Sequence, residues 1–234
     1  MLTWAIQNGC SLKSDITGEA PNLEVLRLLL ETGAPLVAKV CTNAALVGDL
    51  DMLKWARENG CPWTADTTYA AASSGNLEVL KWAIEHGCPW QSAGLCNSTI
   101  RVGCLEALKY LRSKGGHWNE KTCSLAASNG NLEMLKWARA NGCEWDEDTC
   151  AMAARRGELK LLQWERKHGA PWDERTCAYA AAGRHLQVLK WARAQGCPWD
   201  VSTFKKAARR NRKKVLRWVL ENGASMIEKD LEVV

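Results

Sequence analysis

Tryptophan recurs in this sequence on a beat of 27 residues, and that beat limits the chain to a stack of like units. Trp55, Trp82, Trp137, Trp164, Trp191 and Trp218 form one column, with Tyr110 filling the gap between Trp82 and Trp137. Trp63, Trp90, Trp118, Trp145, Trp172 and Trp199 form a second column, and Trp4 belongs to the first. All 13 tryptophans, against 3 tyrosines and a single phenylalanine, fall into these two columns. Gly33, Gly60, Gly87, Gly115, Gly142, Gly169, Gly196 and Gly223 keep the same beat. Self-similarity at such a period marks a solenoid of about eight to nine units, each burying its apolar face only against its neighbours.

The stretch from Trp145 to Pro171 shows what one unit is. Asp146 is a good helix N-cap, and Thr64, Asn119, Asp173 and Asp200 hold the same column. A first helix, A, is predicted from Glu147 to Arg156, with the small pair Ala153 and Ala154 letting another helix approach and Gly157 ending it. A second helix, B, is predicted from about Leu159 to His168, burying Leu159, Leu161 and Leu162, with Gly169 as a left-handed cap. Proline two residues on, as at Pro62, Pro89, Pro171 and Pro198, stops the helix continuing. Helices this short are marginal alone, so stacking must stabilise them.

These residues carry a resemblance. Asn22 to Pro35, NLEVLRLLLETGAP, resembles the second helix of an ankyrin repeat, and Ala126 to Leu135, AASNGNLEML, resembles the ankyrin helix-turn-helix core. Ankyrin units run roughly 33 residues, and the shortfall here lies where ankyrins extend a β-hairpin finger. The resemblance implies an all-α, ankyrin-like helix-turn-helix solenoid without long fingers, in a short-loop, tryptophan-rich variant with Gly-Cys-Pro-Trp-Asp junctions. Residues 1–234 are expected to form one repeat domain, with 1–21 a partial N-terminal unit and 199–234 a basic C-terminal capping unit. Met1 begins inside a helix B, since Trp4 and Gly9 are its late positions, which points to a longer natural protein or an N-terminus covered by another element.

Catalytic and metal chemistry find little support. Eleven cysteines form no Cys-x-x-Cys pair. Cys10, Cys61, Cys88, Cys143 and Cys197 follow the capping glycine, while Cys41, Cys96, Cys123, Cys150 and Cys177 lie on the inner face of helix A. Alanine, threonine or phenylalanine replaces them in other units, which suits small buried side chains better than ligands. His86, His117, His168 and His185 are scattered, and no phosphate-cradling glycine loop or nucleophile elbow occurs. No enzyme activity, cofactor or metal is expected. The tryptophans are expected to form a packing spine, so that Trp145→Ala costs roughly 3 to 5 kcal/mol. The lack of a long apolar run or a secretory leader, with the unpaired cysteines, predicts a reducing intracellular location, the cytoplasm or the nucleus.

Charge is the property that is unevenly spread. Between Trp199 and Met226, Lys205, Lys206, Arg209, Arg210, Arg212, Lys213, Lys214 and Arg217 stand against Asp200 and Glu221, a local +6 in a chain whose total is +5. A basic terminal unit serves as a soluble cap, as a docking site for acidic partners, or as a nuclear-import or phosphate-backbone contact. By analogy with ankyrins, the residues just before the glycine between helices A and B face a concave surface. That column pair varies along the chain, through Ser73-Ser74, Arg101-Val102, Ser128-Asn129, Arg155-Arg156, Ala182-Gly183 and Arg209-Arg210, with Arg184 in place of the glycine. The expected function is a monomeric, non-enzymatic module that binds another protein on this face, favouring acidic segments near the C-terminal units. The alternatives are a nucleic-acid-binding solenoid using the arginine strip, or a structural spacer; no membrane partner is expected. Charge reversal at Arg155, Arg156, Arg209 and Arg210 should weaken binding without shifting the melting midpoint.

Overall fold

The computed structural model describes residues 15–209 and 213–231. Among them every regular element is a helix. The chain forms two compact units, Met1–His117 and Trp118–Val234.

In the first unit a 3-10 turn, Ile16–Glu19, precedes α1 (Leu23–Glu31). Three helix pairs follow: α2 (Ala38–Val47) with α3 (Leu50–Glu58), α4 (Ala65–Ser74) with α5 (Leu77–Glu85), and α6 (Ser92–Arg101) with α7 (Leu105–Ser113). The second unit repeats the pattern in α8 (Glu120–Ser128) with α9 (Leu132–Ala140), α10 (Glu147–Arg156) with α11 (Leu159–Lys167), α12 (Glu174–Gly183) with α13 (Leu186–Ala194), and α14 (Val201–Arg209) with α15 (Lys213–Leu231). The even-numbered members are the A helices and the odd-numbered ones the B helices. The expected all-α repeat architecture is what forms, and α10 has the bounds read from the sequence. The partial unit expected over 1–21, with Cys10, lies largely outside the described residues.

Local chemistry ends each helix. Gly48, Gly75 and Gly157 close A helices with φ of 82°, 79° and 86°, and Gly60, Gly142, Gly169 and Gly196 follow B helices with φ of 78° to 84°. The Thr64 hydroxyl accepts from the Asp66 N–H at 3.2 Å, the Asp173 carboxylate from Arg175 at 3.0 Å, and the Asp200 carboxylate from Ser202 at 2.9 Å. Asn119 forms a capping box with Thr122. Asp146 holds the N-cap position of α10 without accepting a backbone N–H; Thr149 Oγ1 approaches it at 3.5 Å instead. Gly223 also departs from the expected pattern. Its φ is −135°, which makes a non-helical kink between two helical stretches of Lys213–Leu231 rather than a left-handed cap.

The core of each hairpin lies between its two helices. Leu53, Leu80, Leu108, Leu135, Leu162 and Leu189 on the B helices are fully buried. Facing them, Ala44-Ala45, Ala126-Ala127, Ala153-Ala154 and Ala180-Ala181 on the A helices are equally buried, the small pairs that let successive A helices pack side by side. Leu159 is only half-buried, because it lies in the first turn of α11 at the edge of the hairpin; Leu161 and Leu162 carry the burial there.

The cysteine columns have a packing role with two parts. Both columns are buried at every described position. The thiols of Cys61, Cys88, Cys143 and Cys197 lie 3.3, 3.4, 3.5 and 3.5 Å from the carbonyls of Val37, Thr64, Asn119 and Asp173, the residues that begin the A helix of the same hairpin. Cys123 and Cys143 bring their sulfurs to 3.1 Å. Burial pushes the Cys88 and Cys96 thiols up to about 11, and raises Cys150 further with help from Glu165, so these groups stay protonated and unreactive at neutral pH.

The described tryptophans are half-buried rather than core residues. Trp145 meets Trp164 edge to face at 5.9 Å and 72°, and Trp63–Trp82, Trp118–Trp137 and Trp172–Trp191 repeat that geometry. Four of the loop indoles are also covered by an arginine from the preceding B helix. Arg57, Arg139 and Arg166 stand 4.1 Å from the rings of Trp63, Trp145 and Trp172, and Arg193 stands 4.5 Å from Trp199. The same arginines donate from Nη1 to the carbonyls of Cys61, Cys143, Ala170 and Cys197. Each guanidinium therefore holds a carbonyl of the following loop and covers that loop's indole at once.

Candidate functional site

Packing leaves one stripe of each A helix free. On α14, Lys206 and Arg209 are one turn apart and share a face. The same columns hold Tyr179 and Ala182 on α12, and Met152 and Arg155 on α10. Arg155, Tyr179, Ala182, Gly183, Lys206 and Arg209 line a groove of about 460 Å³.

Electrostatics sets this groove apart. Among the described residues no acidic side chain lines it. Among the described residues no ion pair engages Arg155, Lys206 or Arg209, whereas Arg175, at the start of α12, is held by both Asp148 and Asp173. Lys206 Nζ lies 3.9 Å from the centre of the Tyr179 ring, a cation–π contact. Burial holds the Lys206 ammonium below its ordinary range; the charge of Asp200 opposes this, and that of Arg155 adds to it.

The groove opens where α12 departs from the other A helices. Its last two side-chain positions are Ala182 and Gly183, where α2, α4, α6, α8 and α10 carry Leu46-Val47, Ser73-Ser74, Arg101-Val102, Ser128-Asn129 and Arg155-Arg156. The usual glycine has moved one place forward, so Arg184 takes the left-handed cap with φ 72°, unique among the described non-glycine residues. That conformation costs a β-carbon-bearing residue about 1 kcal/mol or more. A Cβ on residue 183 would come within 2.7 Å of the Arg155 carbonyl oxygen and closer still to the His185 imidazole. His185 Nε2 lies 3.1 Å from that same carbonyl oxygen and ties α13 to α10.

The expected site residues therefore divide. Arg155, Lys206 and Arg209 converge on the groove; Arg156, Arg184 and Lys205 are exposed nearby on the same helices or their caps. Lys213, Lys214 and Arg217 are exposed on α15, a B helix, so the basic run is shared between two elements. Arg210 and Arg212 lie outside the described residues. Ser128 turns its hydroxyl back to the Leu125 carbonyl at 3.0 Å, and Asn129 is the C-cap of α8. In the first unit, Ser73 and Ser74 hydrogen-bond the Ala70 carbonyl at 3.1 and 2.7 Å, and Arg101 is exposed. Val102, in the column expected to face the concave surface, is exposed, whereas the exposed apolar Leu46, Val47 and Tyr69 on that unit's A helices were not expected from the sequence. Nor was the part played by Tyr179; Ala182 and Gly183 stand in the expected column, and what they contribute is the gap that the inverted Gly-Arg order signals.

His86 and His168 stack on Trp82 and Trp164 at 4.2 and 4.3 Å and bond the carbonyls one turn back, so they finish their helices. Among the described residues, no group of three His, Cys, Asp or Glu side chains could hold a metal, and no helix is long and apolar enough to cross a membrane.

No protein-family model matches the chain, and no curated protein matches it. Among solved structures, the human ASB11 ankyrin repeat domain is similar, with a TM-score of 0.56 and 16% identity over 68% of this chain and 84% of that one. The chain thus has the ankyrin-repeat fold, a helical repeat solenoid.

Proposed function

We propose that this protein is an interaction module that binds another protein along the exposed strip of its A helices, with an acidic segment docking on α10, α12 and α14. One observation carries the reading: three cations, Arg155, Lys206 and Arg209, surround a groove that no carboxylate among the described residues lines. Such an arrangement attracts anionic segments from a distance and holds them at short range. Arginine and an aromatic wall are also the side chains most used at the energetic centre of protein interfaces. The human ASB11 structure supports the fold on which this reading rests and says nothing of the partner.

A focused cationic site fits a protein partner better than a nucleic-acid backbone. Phosphate-backbone binding uses many contacts along a track, and its affinity falls steeply with salt. Here α8 places the neutral Ser128 and Asn129 in the columns that hold Arg155 and Arg156 on α10. The test is capture from native cells with the wild-type chain and with Arg155→Glu/Arg209→Glu, in the presence of excess DNA and RNA. A protein retained by the wild type, lost from the double variant and insensitive to nucleic acid supports the reading. Displacement by bulk nucleic acid contradicts it.

A further inference from the structure

The groove is narrower in its chemistry than a general acidic-docking surface requires. Its cations stand around a gap, and the gap is made by what α12 lacks. Ala182 and Gly183 withdraw side chains from positions that are filled on the other A helices, and Arg155 and Arg209 flank the space left behind. The unstrained order of residues would place glycine at 184 and a side chain at 183, directed at the Arg155 carbonyl and the His185 ring. The chain instead accepts a left-handed arginine, with φ 72°, and the opening persists.

We propose that this groove is a subsite for the phosphoryl group of a phosphorylated side chain in a partner protein. Two arginines and a lysine present more charge and more donors than one carboxylate can satisfy. A phosphate monoester carries close to two negative charges and three terminal oxygens, so it engages all three cations together. At about 460 Å³ the groove also admits the side chain that carries the phosphate. Tyr179 forms part of the wall, but Lys206 already occupies one face of its ring at 3.9 Å. Single-stranded nucleic acids bind by stacking bases on open aromatic faces, and this face is taken. A phosphorylated peptide needs no such face. The proposal rests on the A-helix strip being a protein-binding surface and specifies one subsite within it.

The test uses the full chain and three matched pools of short degenerate peptides, whose central residue is a phosphorylated Ser, Thr or Tyr, a Glu, or the unmodified hydroxyl residue. Fluorescence anisotropy at fixed ionic strength reads affinity, with phenyl phosphate and single-stranded DNA and RNA oligonucleotides as competitors. The phosphorylated pool should bind at least about tenfold more tightly than the Glu pool, a difference of about 1.4 kcal/mol. Phenyl phosphate should displace it, and Arg155→Gln/Arg209→Gln should abolish the preference while leaving the melting midpoint in place. Equal binding of the phosphorylated and Glu pools overturns the phosphate subsite and leaves the acidic-segment reading standing. Tighter binding of oligonucleotides than of any peptide overturns both. Failure of every phosphorylated peptide to bind overturns the subsite alone, since the capture experiment decides the broader reading.

Discussion

Ala170 donates its backbone N–H to the carbonyl oxygen of Glu165 at 3.0 Å, and the two residues stand where other repeats hold a cysteine and an alanine. Ala56, Ala83, Ala138 and Ala192 are paired in this way with Cys61, Cys88, Cys143 and Cys197. Where the B-helix residue is larger its partner shrinks: Leu29 faces Ala34, and Leu111 faces Gly116, where a Cβ would come within 2.7 Å of the Leu111 carbonyl oxygen. The smaller partner offsets part of the added volume. Glu165 is the exception in polarity. It is fully buried, and neither carboxylate oxygen has a hydrogen-bond partner among the described residues.

That burial makes stability depend on pH. Desolvation raises the Glu165 pKa to about 9, only partly opposed by Cys150. The unfolded chain holds its glutamates near 4.3, so the folded state binds the extra proton and loses stability as pH climbs from there towards 9, by up to about 1.4 kcal/mol per pH unit. Urea midpoints should fall between pH 5 and 8 in the wild type. Glu165→Gln should flatten that slope, and Glu165→Ala/Ala170→Cys should remove it and raise the midpoint. Equal slopes in wild type and Glu165→Gln would refute the assignment.

The Arg139–Trp145–Trp164 stack has a cost that its geometry bounds. Trp145 is half-buried, so Trp145→Ala should destabilise by about 2 to 3 kcal/mol, below the 3 to 5 expected of a core tryptophan. Arg139→Ala should cost about 1 kcal/mol, and the double variant less than the sum by about 0.5 to 1 kcal/mol, read from urea melts. Additivity would show that the ring contact is energetically idle.

The sequence made the period, the A and B helices and the alanine seam legible, because each repeats and the repeats reinforce one another. What repetition hides is less visible. The arginine clamp recurs at Arg57, Arg139, Arg166 and Arg193, yet its two roles emerge only when a carbonyl and an indole meet around one guanidinium. Asp146 has the right residue type in the right column but spends no oxygen on a backbone N–H. The groove is defined by side chains that are missing, and a column of absent atoms says little until Arg155 and Arg209 are seen to flank it.

Arg184 offers a separate check on the strain at that groove. Arg184→Gly should raise stability by about 1 kcal/mol, since glycine adopts φ 72° without a Cβ clash. Thermal melts of the two proteins measure this, and an unchanged or lower midpoint would remove strain from the account.

Thiol chemistry should follow burial. Cys104, half-buried at the N-cap of α7, should be the first of the described cysteines alkylated by iodoacetamide under native conditions. The buried columns should react only at the rate of unfolding, as peptide mass spectrometry over time would register. Early modification of Cys150 or Cys177 would contradict the packing described for α10 and α12.

The cationic groove is tested most directly by titrating the captured partner onto the wild type, Arg155→Glu/Arg209→Glu and Lys213→Glu/Lys214→Glu, with melting midpoints measured in the same buffer. The groove reversal should weaken binding at least about tenfold at an unchanged midpoint, while the reversal on α15 leaves affinity within about threefold. Equal losses from both reversals, or no loss from the first, would contradict docking on the A helices.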